Sequence, residues 1–255
     1  MENRYKYNFD DFTLSNYERL LKLAIDHNYV FSGFDFEPVH KNKLIWRHDL
    51  EFCIDIALYM AKLEQSLRIK SNFFIQLHSP FYNTLEIEKF KKIEEIINAG
   101  HYIGLHFDAH FYGISDKNSL NYYIKQDKEW LETLFNIKID AFSFHNNTKF
   151  TLSCEKDRYG GLINVYSKFF KENYRYCSDS TGFWRYERLE DVLKEKNENK
   201  GLQVLTHDGM WQDDVKSPRQ RIHSIIEENG IKGKTGYDQR LKKFGGRNID
   251  WKEIF

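Results

Sequence analysis

Apolar and polar positions follow two rhythms along the chain. After Thr13-Leu14-Ser15, the apolar residues Tyr17, Leu20, Leu21, Ala24 and Ile25 recur at the spacing of a helix with one buried face. The same period over 55–67 (Ile56, Ala57, Met60, Ala61, Leu63), 85–98 (Ile87, Phe90, Ile93, Ile96, Ile97), 120–135, 162–170 and 189–196 predicts further helices. Between them lie short apolar runs at 44–46, 71–77, 101–106, 139–144, 174–178 and 202–206, which predict buried strands. The stretch 31–36 is too short to assign. Strand followed by helix, repeated, predicts a parallel sheet, open or closed into a barrel. The tail from Gly230 carries repeated Lys, Arg and Gly with weak periodicity and reads as a loosely packed or partner-facing extension. With no internal repeat and no Pro-rich linker, one domain is expected over 1–255, with an extension at 230–255.

Composition narrows the function classes. At 255 residues, 41% hydrophobic and 30% charged, the chain is long enough for one α/β barrel and has the balance of a water-exposed globular protein. Aromatic residues reach 16%, an excess that a barrel interior or a sugar-lined cleft would use. Lys plus Arg equals Asp plus Glu at 38 each, so no net field favours nucleic acid or an anionic membrane. The first residues lack a basic-then-apolar export signal, and no run approaches a membrane span; a cytoplasmic protein without membrane insertion is expected. Cys53, Cys154 and Cys177 are odd in number and far apart, and read as reduced thiols in or near the core.

Candidate chemistry collects where the strands are expected to end. Gly100 to His110, GHYIGLHFDAH, closes on two histidines four apart. If the residues after Leu105 are helical, His106 and His110 share one face about 5–6 Å apart, which suits chelation of a single zinc ion. Such a pair also arises by chance, so its weight comes from three other clusters: Arg47 to Glu51, Phe144-His145-Asn146, and His207-Asp208. In a parallel sheet all four converge on one rim, as in a metal-dependent hydrolase site. Arg47 is expected to pair with Asp49 or another site carboxylate, and His48 and His145 either line the site or sit near the core. His101 is expected to make a structural hydrogen bond, while Asp208, Asp213 and Asp214 read as solvated loop acids. Phe81, Tyr82, Phe111 and Tyr112 form an aromatic group of core or rim packing, with Tyr82 and Tyr112 beside the site loops.

The segments RHDLE, ALYMAKLE, SNFFIQLHSPFYN and above all GHYIGLHFDAH resemble the polysaccharide deacetylase family, the NodB-type domain of carbohydrate esterases, in a cytoplasmic-looking branch with Arg-His-Asp in place of two adjacent aspartates. The resemblance spans roughly 44–211. It implies an α/β fold, a distorted, incomplete (β/α) barrel of about seven parallel strands. It also implies a divalent metal, usually zinc, and hydrolysis of an acyl group on a sugar. By position, His106 and His110 match the two metal-ligand histidines and Asp49 the general base. The third ligand of the family would fall on Leu50, which cannot bind metal. Glu51 takes its place if Asp49 is the base, since residues two apart on an extended segment face the same side; otherwise Asp49 itself is the ligand. His207 matches the general acid, with Asp208 where a proline often follows. SFHNN, with His145, occupies the place of a substrate loop but lacks its arginine and proline. Asp179-Ser180 and Trp184-Arg185 fall where the family positions its catalytic groups or walls its groove, and Asp179 and Trp184, with Arg47 and His145, are the expected substrate contacts.

The resulting expectation is a zinc-dependent hydrolase that removes an N-acyl group from a sugar, sugar nucleotide or lipid-linked sugar in surface polysaccharide biosynthesis, with no nucleic-acid partner. The alternative is a non-catalytic carbohydrate-binding or assembly protein on the same fold, motivated by the missing adjacent aspartate and the altered loop.

Overall fold

The computed structural model describes residues 2–195 and 199–251. Among the described residues nine strands form one curled sheet: β1 (Val30–Phe31), β2 (Lys43–Leu50), β3 (Asn72–Ile75), β4 (Tyr102–Phe107), β5 (Ala141–Phe144), β6 (Arg158–Tyr159), β7 (Leu162–Asn164), β8 (Tyr174–Ser178) and β9 (Gly201–His207). Their order is β6-β7-β5-β4-β3-β2-β9-β8, with β1 beside the start of β2. Every pairing is parallel except β6 with β7. The architecture is therefore the distorted, incomplete (β/α) half-barrel that the sequence led us to expect.

Strand β2 lies inside the sheet between β3 and β9 and is buried along its whole length, as parallel strands covered on both faces are. Its apolar signal is only Leu44-Ile45-Trp46, yet the strand continues through Arg47, His48 and Asp49 because each charge finds a partner. Period two sorts them. Leu44, Trp46 and His48 turn to the outer face, under the helix Leu14–Asp26, where Tyr17 packs edge-on against Trp46 with ring centres 5.8 Å apart. Ile45, Arg47 and Asp49 turn inward, toward Phe74 and Tyr166. Gly104 on β4 has its reason here: a Cβ would meet the Phe74 ring and come within 2.9 Å of the Ala141 carbonyl oxygen.

His48 and His101 are structural. His48 Nε2 lies 2.8 Å from Glu64, and its Nδ1 lies 2.7 Å from the Thr206 hydroxyl. Glu64 also accepts from the Tyr17 and Ser71 hydroxyls, and His101 donates to the Ala61 carbonyl at 2.9 Å. Glu64 is fully buried, so these partners replace the water it lost.

The helix Leu14–Asp26 starts where expected, with the Thr13 hydroxyl accepting from the Asn16 N–H at 3.2 Å. Helices Ile54–Ser66, Ile87–Asn98 and Lys117–Phe135 follow the strands as the periodicity predicts. One expectation is corrected. Residues 162–170 are not one helix: Leu162–Asn164 is a strand, and the helix begins only at Lys168. The buried Asn164 amide donates to the Cys154 and Lys156 carbonyls, and Ile163 N–H to Asp140, which fixes an extended edge. Of the tail from Gly230, the residues to Lys243 belong to a 26-residue helix, Pro218–Lys243, opened by a Ser217–Gln220 capping box with proline at its first position. Only Arg221 and Ile225 are buried in it, so it has no periodic stripe to read. The predicted helix 189–196 is seen as Leu189–Lys194, and its last position, like 252–255, lies outside the described residues.

Candidate metal centre and cleft

The inner-face residues at the C-terminal ends of β2, β4, β5 and β9 open into a cleft of about 730 Å³ lined by, among others, Asp49, Glu51, His106, His110, Tyr166 and His207. Sheet register builds the site. β2 and β9 pair Asp49 with His207, and β4 and β5 pair His106 with Ser143.

Three ligand atoms gather at the centre. Glu51 Oε1 lies 2.9 Å from His106 Nε2 and 3.0 Å from His145 Nδ1, and the two nitrogens are 3.2 Å apart. Ligand atoms around a tetrahedral zinc at its usual bond lengths sit about 3.4 Å apart. A few tenths of an ångström of widening therefore admits the ion. The hydrogen bonds around His106 are compatible with this. The Ser143 hydroxyl donates to Asp49 Oδ1 at 3.1 Å, so its oxygen accepts from His106 Nδ1–H at 2.7 Å. His106 Nε2 is then directed at Glu51 Oε1, where either a proton or a cation fits between the two atoms. The Asn146 amide donates to His145 Nε2 at 2.8 Å. Turning that amide over would present its oxygen to Nε2–H and leave Nδ1 as a lone pair for a metal.

His110 is not part of this cluster. β4 stays extended through Phe107, so the two histidines are not on one helix face; His110 sits in the following turn with Nε2 donating to the Asn146 carbonyl at 2.8 Å. The histidine that meets His106 is His145, at the end of β5.

The carboxylates differ in setting. Asp49 accepts from Arg47 Nη2 at 2.8 Å and lies 3.4 Å from His106 Nδ1, on the opposite side of that ring from Glu51. Burial works against its charge, but Arg47, then His106 and His207, hold the carboxyl below its ordinary value. Glu51 is likewise opposed by burial and held well below the usual range by His207 and by its bonds to His106 and His145. His207 stands 3.8 Å from Glu51 through Nε2, while its Nδ1–H donates to Asp179 at 2.5 Å. Asp179 also accepts from the His207 N–H at 2.9 Å and the Trp211 indole at 3.0 Å, and so fixes the ring. Burial opposes the imidazolium, but Asp179, Glu51 and Asp49 push His207 up to about 10.

That shift has a consequence for stability. A group whose folded-state pKa lies above its unfolded value of about 6.5 stabilises the fold fully below that pH. The contribution fades as pH rises through about 10. Zinc-free protein is thus expected to lose urea stability between pH 6 and 10, and His207→Gln should flatten that slope; an equal slope in the variant would assign it to another group.

Several expected substrate contacts are placed differently. Arg47 is fully buried behind Asp49, with Tyr166 as its other partner at 3.1 Å, and no guanidinium edge reaches the cleft. Asp179 is fully buried and touches His207 instead of open space. Trp184 faces away, its indole donating to Asp11 at 3.0 Å and its ring packed on Phe12 and Trp211, whereas Arg185 lines the cleft. Asp208 is not a solvated loop acid. It is fully buried and accepts from the backbone N–H groups of Glu51 (2.9 Å), Phe52 (3.1 Å) and Cys53, holding the turn that presents Glu51. Ser143 and Asp208 are the functional positions the sequence reading missed. Ser143 has a signal, a polar residue on the inward phase of the strand AFSF; Asp208 has none beyond its place next to His207.

No protein-family model matches the chain, and no curated protein matches it either. Solved structures similar to it are carbohydrate esterases of family 4 and related deacetylases. One is a family 4 carbohydrate esterase from Bacillus anthracis, 12% identical over 90% of this chain and 87% of that one, with a TM-score of 0.43. The chitin deacetylase of the fungal pathogen Colletotrichum lindemuthianum is 14% identical over 73% of this chain and 82% of its own, with a TM-score of 0.42. A mutant of a family 4 pseudoenzyme with restored enzymatic activity is 13% identical over 74% of this chain, with a TM-score of 0.40; this chain spans 65% of its length. Among the described residues no helix is long and apolar enough to cross a membrane.

Proposed function

We propose that the protein is a metal-dependent hydrolase that removes an N-acyl group from a sugar or a sugar-containing intermediate. The observation that carries this reading is the Glu51–His106–His145 triad, whose three possible ligand atoms lie 2.9–3.2 Å from one another at the floor of the cleft. Glu51, His106 and His145 would hold zinc, which supplies Lewis acidity toward an acyl carbonyl and acidifies water.

The chain's own groups then divide the proton work. Asp49, kept ionised by Arg47, lines the cleft and takes the proton of the attacking water. His207 holds its proton on Nε2, since Asp179 occupies Nδ1–H, and delivers it to the departing amine. Ser143 ties His106 to Asp49, so ligand and base keep a fixed distance. A substrate of intracellular surface-polysaccharide synthesis, such as a sugar nucleotide or lipid-linked sugar, fits this reading.

The test is release of acetate or formate from a panel of N-acyl sugars by protein loaded with zinc. Sugar binding without acyl release would favour the non-catalytic alternative. The choice of histidine is tested separately. His145→Ala should lower zinc affinity by about 10–100-fold or more, as loss of a direct ligand exceeds loss of its supporting partner, whereas His110→Ala should leave zinc stoichiometry unchanged in a competition titration. The reverse pattern would return the ligand role to His110.

A further inference from the structure

The cleft wall carries one cation that the hydrolytic reading does not use. Arg185 lines the same cavity as Asp49, Glu51, His106 and His207. Its neighbours in sequence and space are neutralised: Arg175 donates to Glu187, Arg188 binds Asp11 at 2.6 and 2.7 Å, and Arg47 is held by Asp49. Among the described residues no ion pair reaches Arg185; its guanidinium stands 5.8 Å from the Tyr186 ring centre. The two carboxylates that line the cleft are already engaged, Asp49 by Arg47 and Ser143, and Glu51 by three histidines.

The segment that presents Arg185 is held in place. Thr181, a β-branched residue, sits in the left-handed region at φ 65°, and Gly182 follows at φ 85°. A Cβ at Gly182 would strike Pro218 and Met210, so the backbone there lies flush against the long C-terminal helix. The Gly182 carbonyl accepts from the buried Arg221 at 2.8 Å. Next to it, Trp184 is anchored inward on Asp11, which turns the following residue outward to the cleft. The same cleft is lined by the neutral polar residues Asn146, Asn147, Ser180, Thr181 and Tyr186.

We infer that the cleft takes an acylated sugar carrying an anionic group, a phosphate or a carboxylate, which Arg185 grips with its forked guanidinium while the acyl group lies at the triad. This rests on the proposed function and names its substrate class. An unpaired guanidinium among neutral donors selects for such a group, because its fork matches carboxylate and phosphate oxygens two at a time.

The experiment measures binding, so it does not depend on turnover. Dissociation constants of N-acetylglucosamine, N-acetylglucosamine 1-phosphate, N-acetylmuramic acid and inorganic phosphate are determined calorimetrically on the full chain, with zinc and with chelator. At least one of the two anionic sugars should bind about tenfold to a hundredfold more tightly than the neutral sugar, the range of a charge-assisted hydrogen-bonded contact. Which of them does so distinguishes phosphate from carboxylate. R185Q should erase the preference and R185K should keep part of it, with neutral-sugar binding unchanged in both. Equal affinities in the wild type, or a preference that survives R185Q, or one that disappears with chelator as readily as with R185Q, would overturn the assignment. If the preference holds but no acyl group is ever released, the hydrolase reading fails while this one stands; acyl release without anion preference gives the converse.

Discussion

Asp49→Asn will retain one zinc per chain and lose turnover by about 10²–10⁴, the contribution of a positioned general base. The amide keeps the shape of the carboxylate and can still face Arg47 and Ser143, but it cannot accept the proton of an attacking water. Glu51→Ala will do the opposite. It removes the oxygen that both His106 and His145 face, so zinc affinity falls and activity returns in part when excess zinc refills the site by mass action. Metal content by atomic emission, read beside kcat, checks both. Zinc lost from Asp49→Asn and kept by Glu51→Ala would exchange the two roles, and Asp108, whose carboxylate accepts the His110 N–H at 2.9 Å, would be the next base to examine.

Asp208→Ala will be among the most destabilising single substitutions in the chain. It strips the acceptor from three backbone N–H groups in a buried turn. Unsatisfied buried donors cost about 1–3 kcal/mol each. Water entering the space left behind recovers some of this, so a net loss of about 3 kcal/mol is expected, or a fall in Tm of about 6–12 °C for a chain of this size. The same change frees the turn that carries Glu51, so zinc affinity should fall as well, although Asp208 never meets the metal. Asp208→Asn separates shape from acceptor capacity: it fills the space, but only one of its two terminal atoms can accept. It should lie between the wild type and the alanine variant in both melting temperature and zinc affinity. A melting temperature for Asp208→Ala within 2 °C of the wild type, on the scale of about 1 kcal/mol or less, would show that the turn holds without it.

What the sequence made legible follows burial. Strands and helices with an apolar face, such as Leu14–Asp26 and Gly201–His207, were readable because burial writes a period into the residues. The helix Pro218–Lys243 was not, since nearly all of it is exposed and nothing selects a stripe. Its capping box was the remaining signal. In the site, Arg47, Asp49, Glu51, His106, His145 and His207 were all singled out, because histidines and carboxylates at strand ends stand out against an apolar background. What could not be read was which way they point. His110 and His145 are equally conspicuous as letters, and only the end of β4 at Phe107 decides which of them meets His106. Trp184 and Arg185 are adjacent, and the anchoring of one on Asp11 sends the other to the cleft. Asp208 was misread because a carboxylate that serves backbone N–H groups has the same sequence signature as one that serves water.

The alternation of β2 has a further consequence for how this site can change. Its inward phase carries Arg47 and Asp49, the base with its counter-charge, while its outward phase carries His48, locked to Glu64 and Thr206. Inserting or deleting one residue upstream in β2 would exchange the phases, burying the base under the helices and turning His48 toward the cleft. Substitutions along the strand can therefore tune the site one residue at a time, but its spacing is indivisible. A shift of register there moves the base and its counter-charge together.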